Sequence, residues 1–310
     1  MKRARVLALV GATATGKTEL GERLAAARDG EVVCADSRQV YAELEIGTGK
    51  PSREQRAARP HHLFDALTLG QRASAGWYGR VSAEARREVH ARGRLPILVG
   101  GSGLYLRAAR QGLATGPPHD PGLRERLHAE MEALGPEALH ARLAAVDPAT
   151  ASRLGPRDRQ RIGRALEVHA ISGRPLSWWH AQPMGPDSGE RWVTLELVVP
   201  AVVIRERIVA RTRAMFQQGL VEETRALLAA GHGDALRALH AVGYDEAMAL
   251  LEGRCTRTEA EERTNLRTAQ LAKRQRTWFR HQVEAVRLSA EAVDPQVLMR
   301  PALEAIDRGA

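Results

Sequence analysis

The sequence predicts an α/β protein: a parallel sheet flanked by helices, interrupted by an all-helical insertion and completed by a helical C-terminal region. Three observations predict it. The apolar run Val6-Leu7-Ala8-Leu9-Val10 feeds directly into Gly11-Ala12-Thr13-Ala14-Thr15-Gly16-Lys17-Thr18, the G-x-x-x-x-G-K-[ST] order of strand, phosphate loop and helix start. Further short apolar runs, at 31–35, 95–99 and 192–199, alternate with segments of helical period. Between the turn-rich stretches 116–122 and 182–189 the pattern is helical throughout. Residues 1–116 and 191–310 are therefore expected to form one core, and 117–190 an inserted subdomain.

Gly11 and Gly16 let the backbone curl so that successive N–H groups point at phosphate oxygens, and the positive end of the following helix adds to the pull. Lys17 supplies a point charge for the outer phosphate, and Thr18 a hydroxyl where a phosphate-bound Mg²⁺ sits. The core is thus expected to be P-loop NTPase-like. A ligand-free glycine turn is the poorer account of a full eight-residue match in a strand-then-helix context. The helix runs over 19–28, with Leu20 and Leu24 on one face, and Asp29-Gly30 ends it.

The strand at 31–35 leads into Asp36-Ser37-Arg38-Gln39-Val40-Tyr41. Ligands of open parallel sheets sit beyond the carboxyl ends of the strands, and this strand is expected beside the first. Asp36 should then face the phosphates, as a general base or through a metal-bound water. A helix cap is the other use of an aspartate there. Ile46-Gly47-Thr48-Gly49-Lys50-Pro51 is a glycine-punctuated loop, and the adjacent His61 and His62, in a short strand, are poor joint metal ligands. After a helix over 77–92, the strand at 95–99 ends in Gly100-Gly101-Ser102-Gly103, without the acidic residue that holds Mg²⁺ in nucleotide hydrolases. The carboxylate is at Asp36 instead, which favours an enzyme that moves a group onto or off a diphosphate over a motor or switch ATPase.

In the insertion, Asp120-Pro121 and Asp147-Pro148 each pair a helix cap with a first-turn proline. Residues 153–174 hold six arginines against Asp158 and Glu167; Arg157, Arg161 and Arg164 fall on one helical side, Ile162 and Leu166 on another. A second basic helix covers 263–287, where seven Lys and Arg face one acid, Glu284. Its wheel gathers Leu271, Ala272, Trp278, Phe279 and Val283, with Lys273, Arg276 and Arg280 on one flank and Arg263, Arg267 and Arg274 on the other. Two separate basic helices interleaved with Gln160, Gln270 and Gln275 favour a phosphodiester backbone over merely solvated faces. Arg207, Arg211 and Arg213, on the helix after the last core strand, are candidates for a clamp over the phosphate loop.

The formal charge of +9 points the same way, although general arginine richness blunts it. Cys34 and Cys255 are far apart in sequence, against both a disulfide framework and a zinc module. No segment has the apolar length of a membrane span, and the N-terminal apolar run is consumed by the phosphate loop, so a cytoplasmic protein is expected. A monomer is the expected form, although no residue pattern fixes the oligomeric state.

Taken together, the strings resemble the bacterial tRNA dimethylallyltransferases. G-A-T-A-T-G-K-T, A-D-S-R-Q-V-Y, I-G-T-G-K-P, P-H-H-L, P-I-L-V-G-G-S-G-L-Y, Q-R-I-G-R-A-L-E-V, A-V-G-Y and Q-L-A-K-R-Q-x-T-W-F-R follow in order from the first strand to about Arg280. The resemblance implies transfer of a dimethylallyl group from dimethylallyl diphosphate to N6 of the adenosine 3′-adjacent to the anticodon in tRNA, with Mg²⁺ and release of diphosphate. It implies that Gly11, Ala12, Thr13, Ala14, Thr15, Gly16, Lys17 and Thr18 hold the prenyl diphosphate rather than ATP. Lys17 and Arg211 would act on the diphosphate, Thr18 on the metal, and Asp36 would accept the proton from N6. Contacts to the anticodon stem-loop are implied for Asp36, Ser37, Arg38, Gln39, Ser102 and Arg124. They are implied as well for Gln160, Arg161, Ile162, Gly163 and Arg164, and for His240, Ala241, Val242, Gly243, Tyr244 and Asp245. The last such run is Lys273, Arg274, Gln275, Arg276, Thr277, Trp278, Phe279 and Arg280. Ala12 stands where the family usually has proline, Ser102 where it has threonine, and Gly155-Pro156-Arg157-Asp158 where it usually reads His-Pro-Asn-Asp.

Two other classes fit part of the sequence. A P-loop nucleotide or small-molecule kinase would use the same loop for ATP and Asp36 to activate a hydroxyl, but it leaves both basic helices without work. A non-catalytic, nucleotide-sensing RNA-binding protein leaves Asp36 at its strand end unexplained.

Overall fold

The computed structural model describes residues 4–112, 116–117, 119–182, 189–291 and 295–308. The chain divides into two compact units, Met1–Arg110 with Asp187–Ala310, and Gln111–Pro186. The first unit starts with β1 (Arg5–Gly11), α1 (Lys17–Ala27), β2 (Gly30–Cys34) and α2 (Arg53–Ala58). It continues through β3 (His61–His62), α3 (Ala75–Ala91), β4 (Leu95–Gly100) and α4 (Gly103–Gln111). The second unit is helical: α5 (Pro121–Leu134), α6 (Pro136–Val146), α7 (Pro148–Ala151), α8 (Arg159–Ser172) and α9 (Leu176–Ala181). The chain returns through β5 (Arg191–Val198), α10 (Ala201–Gln217), α11 (Leu220–Ala229), α12 (Gly233–Leu239) and α13 (Tyr244–Leu251). It ends with α14 (Arg257–Gln282), β6 (Val286–Ser289) and α15 (Gln296–Arg308). No helix among the described residues is long and apolar enough to cross a membrane.

The sheet is parallel throughout, in the order β3-β2-β4-β1-β5-β6. Helices cover both of its faces, so β1 and β2 can be near-continuous apolar runs with only Arg5 exposed. Alternation splits β1 between two cores. Val6, Ala8 and Val10 join Tyr78, Tyr105, Phe216 and Phe279 on one face, and Leu7 and Leu9 join Leu20, Leu24, Ile204 and Leu298 on the other.

One expectation needs correction. β2 does not lie beside β1; β4 stands between them, with Leu7, Ala8, Leu9 and Val10 registered on Ile97, Leu98, Val99 and Gly100. Asp36 therefore reaches the phosphate loop across the end of β4. The C-terminal residues, silent in sequence, form an edge strand and α15, whose Leu298, Ala302, Ala305 and Ile306 complete the core beside α1. As expected, Asp147 caps a helix with Pro148 in its first turn, the four-residue α7; its Oδ1 accepts from Thr150 N at 3.0 Å and its Oδ2 from Ser177 N at 2.9 Å. Of the turn-rich stretch 182–189, residues 183–188 lie outside the described residues. The helical unit has its own core of Leu127, Met131, Leu139, Leu143, Ile162 and Leu166.

At the edge of the sheet away from its carboxyl rim, the side chain of Glu31 is fully buried. It accepts from Arg92 Nε at 3.0 Å and Nη2 at 2.7 Å, from Arg94 Nη1 at 3.2 Å, and bonds His62 Nε2 at 2.6 Å. The Arg92 hydrogen bonds outweigh the cost of burial and hold the carboxyl at about 2. Its stabilising effect is thus fully present above the ordinary value near 4.5 and is lost as pH falls through about 2. Glu31→Gln is expected to lower the unfolding free energy at pH 7 by about 1–3 kcal/mol, since the buried group loses its charge-assisted hydrogen bonds to the solvent-accessible Arg92 and Arg94. Urea titrations should show a smaller gap between variant and parent at pH 3.5 than at pH 7.

Candidate active site

β1 delivers the chain into the phosphate loop at Gly11, where φ is 147° and a Cβ would lie 2.7 Å from Leu197 O. Ala14 and Gly16 also adopt positive φ, 62° and 89°, and the backbone folds into a cradle. The Thr15 hydroxyl and Lys17 Nζ both donate to Ala12 O, at 2.9 and 2.5 Å, which closes the loop on itself. α1 starts at Lys17 with no side-chain cap, leaving its first N–H groups for a ligand.

The ends of β2 and β4 are stitched together beside this cradle. Ser102 N donates to Ala35 O at 3.2 Å, and Ser102 Oγ accepts from Ser37 N at 3.0 Å. A methyl on Gly100 would overlap the Ala35 backbone, which is why this strand ends in glycine. Asp36 Oδ1 accepts from Arg38 N at 2.9 Å, so the carboxylate shapes its own turn while it lines the cavity.

A third segment closes the site. Gln39 Nε2 donates to Thr48 O and Gly49 O, each at 3.1 Å, and Arg211 Nη2 donates to Thr48 O at 3.0 Å. Gly49, with φ of 59°, lies so near the Arg211 guanidinium that a Cβ there would collide with it. Behind this loop, Glu223 accepts from Glu45 N at 3.2 Å and Ile46 N at 2.9 Å. The Tyr244 hydroxyl donates to Glu223 and accepts from Gly47 N at 3.2 Å.

The resulting cavity of about 240 Å³ is lined by Thr13, Ala14, Thr15, Gly16, Lys17, Thr18, Asp36, Gln39, Arg211 and Gln275, with Val32, Phe64 and Val99 adding apolar surface. Burial lowers the Lys17 ammonium to about 8; Asp36 opposes the shift and Arg211 adds to it. Burial also lowers Arg211, again against Asp36. Two desolvated cations thus share the cavity with Asp36, while Glu19 and Glu22, also on its wall, are paired with Arg23 and His61.

The structure sorts the other sequence-predicted residues into surface, core and internal ties. Lys273, Arg274, Thr277 and Arg280 are exposed on α14, Arg276 is half-buried, and no acid pairs with these four cations among the described residues. Gln160 and Arg161 are exposed on α8, and His240 is exposed in a left-handed turn with Val242 half-buried beside it. Ile162, Ala241, Tyr244 and Phe279 have buried side chains and belong to the core, so any contact they make with nucleic acid is through backbone. Gly163 and Gly243 can offer only backbone.

Several polar residues are likewise committed inward. Arg164 and Arg124 converge on the buried Glu167, at 2.8 and 3.3 Å, with His119 at 3.1 Å. Burial pushes Glu167 up, but these partners outweigh it and hold the carboxyl below its ordinary value. Arg267, expected on a basic flank, pairs with Asp245 at 2.8 Å and Glu246 at 2.6 Å and donates to His240 O at 3.1 Å. Arg38 Nη2 donates to Leu239 O at 2.6 Å. Arg207 donates to Ala290 O and Glu291 O rather than to the cavity, so only Arg211 of the three candidate clamps lines it. Trp278 packs on Gly103 beneath the Arg107 guanidinium, 5.5 Å from its ring. Gln275 bridges Thr13 N and Gly101 O, a role that helical periodicity does not reveal.

A family model described as IPP transferase matches residues 39–282. The tRNA dimethylallyltransferase of Halorhodospira halophila is 46% identical over 93% of this chain and 94% of that one. The tRNA dimethylallyltransferase of Streptomyces coelicolor is 44% identical over 98% and 96%. The solved structure of the full-length tRNA isopentenylpyrophosphate transferase from Bacillus halodurans aligns with a TM-score of 0.71 at 31% identity, covering 99% of this chain and 98% of that one. With strands, loops and helices all inside these nearly full-length matches, the chain belongs to the tRNA dimethylallyltransferase, or IPP transferase, family.

Proposed function

We propose that this chain carries out the family's reaction in the cytoplasm, moving the dimethylallyl group of dimethylallyl diphosphate to N6 of the adenosine 3′-adjacent to a tRNA anticodon. The observation that carries this reading is the meeting of Lys17, Arg211 and Asp36 with the phosphate loop in one cavity. The allylic C–O bond breaks and its electron pair leaves with the diphosphate. Lys17, Arg211 and the uncapped N–H groups of α1 offset that charge. N6 forms the new C–N bond, and its proton passes to Asp36. An exocyclic amine held in a base stack cannot reach the donor, so the adenine must be turned out toward the cavity, and water must be kept from the allylic carbon. The exposed Lys273, Arg274 and Arg280 suit the tRNA backbone.

Among the described residues no group of three or more His, Cys, Asp and Glu forms a ready metal cage. The hydroxyl of Thr18 and the carboxylate of Asp36 are hard oxygen donors at the cavity wall. That set fits Mg²⁺ carried mainly by phosphate oxygens and water, with the Thr18 hydroxyl holding it and Asp36 left free to take the N6 proton. The ion would add to the neutralisation of the leaving diphosphate.

Incubation with unmodified tRNA and either labelled dimethylallyl diphosphate or ATP tests the reading: label is expected in tRNA from the prenyl donor, and ATP consumption without prenyl transfer would refute it. Asp36→Asn keeps the turn that Asp36 makes with Arg38 but removes the base. Transfer is expected to fall by about 10²–10⁴-fold while donor affinity changes little; equal loss of both would make Asp36 a metal or structural residue.

Lys17 gives a pH signature. Donor binding without tRNA should be level up to about pH 8, where Lys17 is already charged in the free protein. Above that it should weaken by up to about tenfold per pH unit, because neutral Lys17 must take up a proton on binding. Calorimetry in buffers of different ionisation enthalpy reads that uptake, and Lys17→Met should abolish it.

A further inference from the structure

One turn of α14 faces two ways. Lys273 and Arg274 are exposed, whereas Gln275 between Arg274 and Arg276 points inward. Its Oε1 accepts from Thr13 N in the phosphate loop at 2.8 Å, and its Nε2 donates to Gly101 O at 3.0 Å. The orientation of the amide is dictated by its partners, since a backbone N–H needs the oxygen and a carbonyl needs the NH₂. Gly101 is glycine for this contact: a Cβ there would run into the Gln275 amide. Trp278, three residues on, packs on Gly103 in the same way, so the helix is seated on the loop after β4 by two side chains of one face.

We propose that Gln275 is a positioning residue that couples tRNA binding on the outer face of α14 to donor binding in the phosphate loop. The inference rests on the donor and tRNA reading above. When tRNA phosphates fix the basic side chains, the same helical turn holds the amide that accepts from Thr13 N, so a ligand that favours one position of this turn favours the same arrangement of the loop. Linkage makes the effect reciprocal: the donor tightens tRNA by the same factor.

The test measures the dissociation constant of dimethylallyl diphosphate with and without a saturating anticodon stem-loop that carries purine riboside in place of the acceptor adenosine, so that no transfer occurs. The parent protein is expected to bind donor at least about fivefold tighter with the stem-loop. In Gln275→Met the ratio should drop to within about twofold of one while the stem-loop alone binds as before. Gly101→Ala, which displaces the amide from its other side, should reproduce the loss and decides the matter if Gln275→Met does not fold. Arg280→Ala should weaken the stem-loop and keep the ratio. A parent ratio of one, or a ratio unchanged in the substituted proteins even if donor affinity falls, overturns the coupling and leaves the donor reading standing. Absence of any donor binding by the parent overturns both.

Discussion

Lys17 and Arg211 are held beside Asp36 with too little water to solvate them, and burial moves both cations toward neutrality while the carboxylate pulls them back. That balance is unstable for a flexible surface loop, because a mobile side chain would simply swing into solvent. It persists because every backbone segment around it is tied to another. Lys17 is bonded to its own loop, Arg211 to the 46–49 turn, and Asp36 to the turn that follows it. The parallel sheet supplies the rim on which these ties meet.

The helices after β5 serve this rim from behind. Glu223 of α11 and Tyr244 of α13 hold the 45–47 backbone, and Arg267 of α14 clamps Asp245, Glu246 and the His240 carbonyl. A strongly basic composition therefore overstates the free positive surface. Arg124, Arg164, Arg207 and Arg267 are committed to internal partners, as are Arg92 and Arg94 around Glu31. Among the described residues, Lys273, Arg274, Arg276 and Arg280 on α14 have no acidic partner.

Glycines mark where the chain approaches itself. Gly100 clears the Ala35 backbone, Gly101 the Gln275 amide and Gly103 the Trp278 ring. In sequence, this run signalled only that the strand ends without an acidic residue. In three dimensions it is the seat of α14, and the missing carboxylate and the docked helix are two aspects of one arrangement.

Local signals determined a good deal. The phosphate loop, the buried strands, the helix caps at Asp120 and Asp147 and the carboxylate at a strand end are all written in contiguous residues, because dihedral preference, periodicity and capping act over a few positions. Tertiary structure alone decided that β4 separates β1 from β2, that Gln275 reaches a loop 262 residues away, and which arginines are spent on buried carboxylates. Strand order also depends on how crossovers pack, and a C-terminal strand and helix carry no signature until a sheet edge and α1 exist for them to cover. A helical wheel places a side chain on a face; only the neighbour across that face determines whether it meets solvent, a carboxylate or a phosphate.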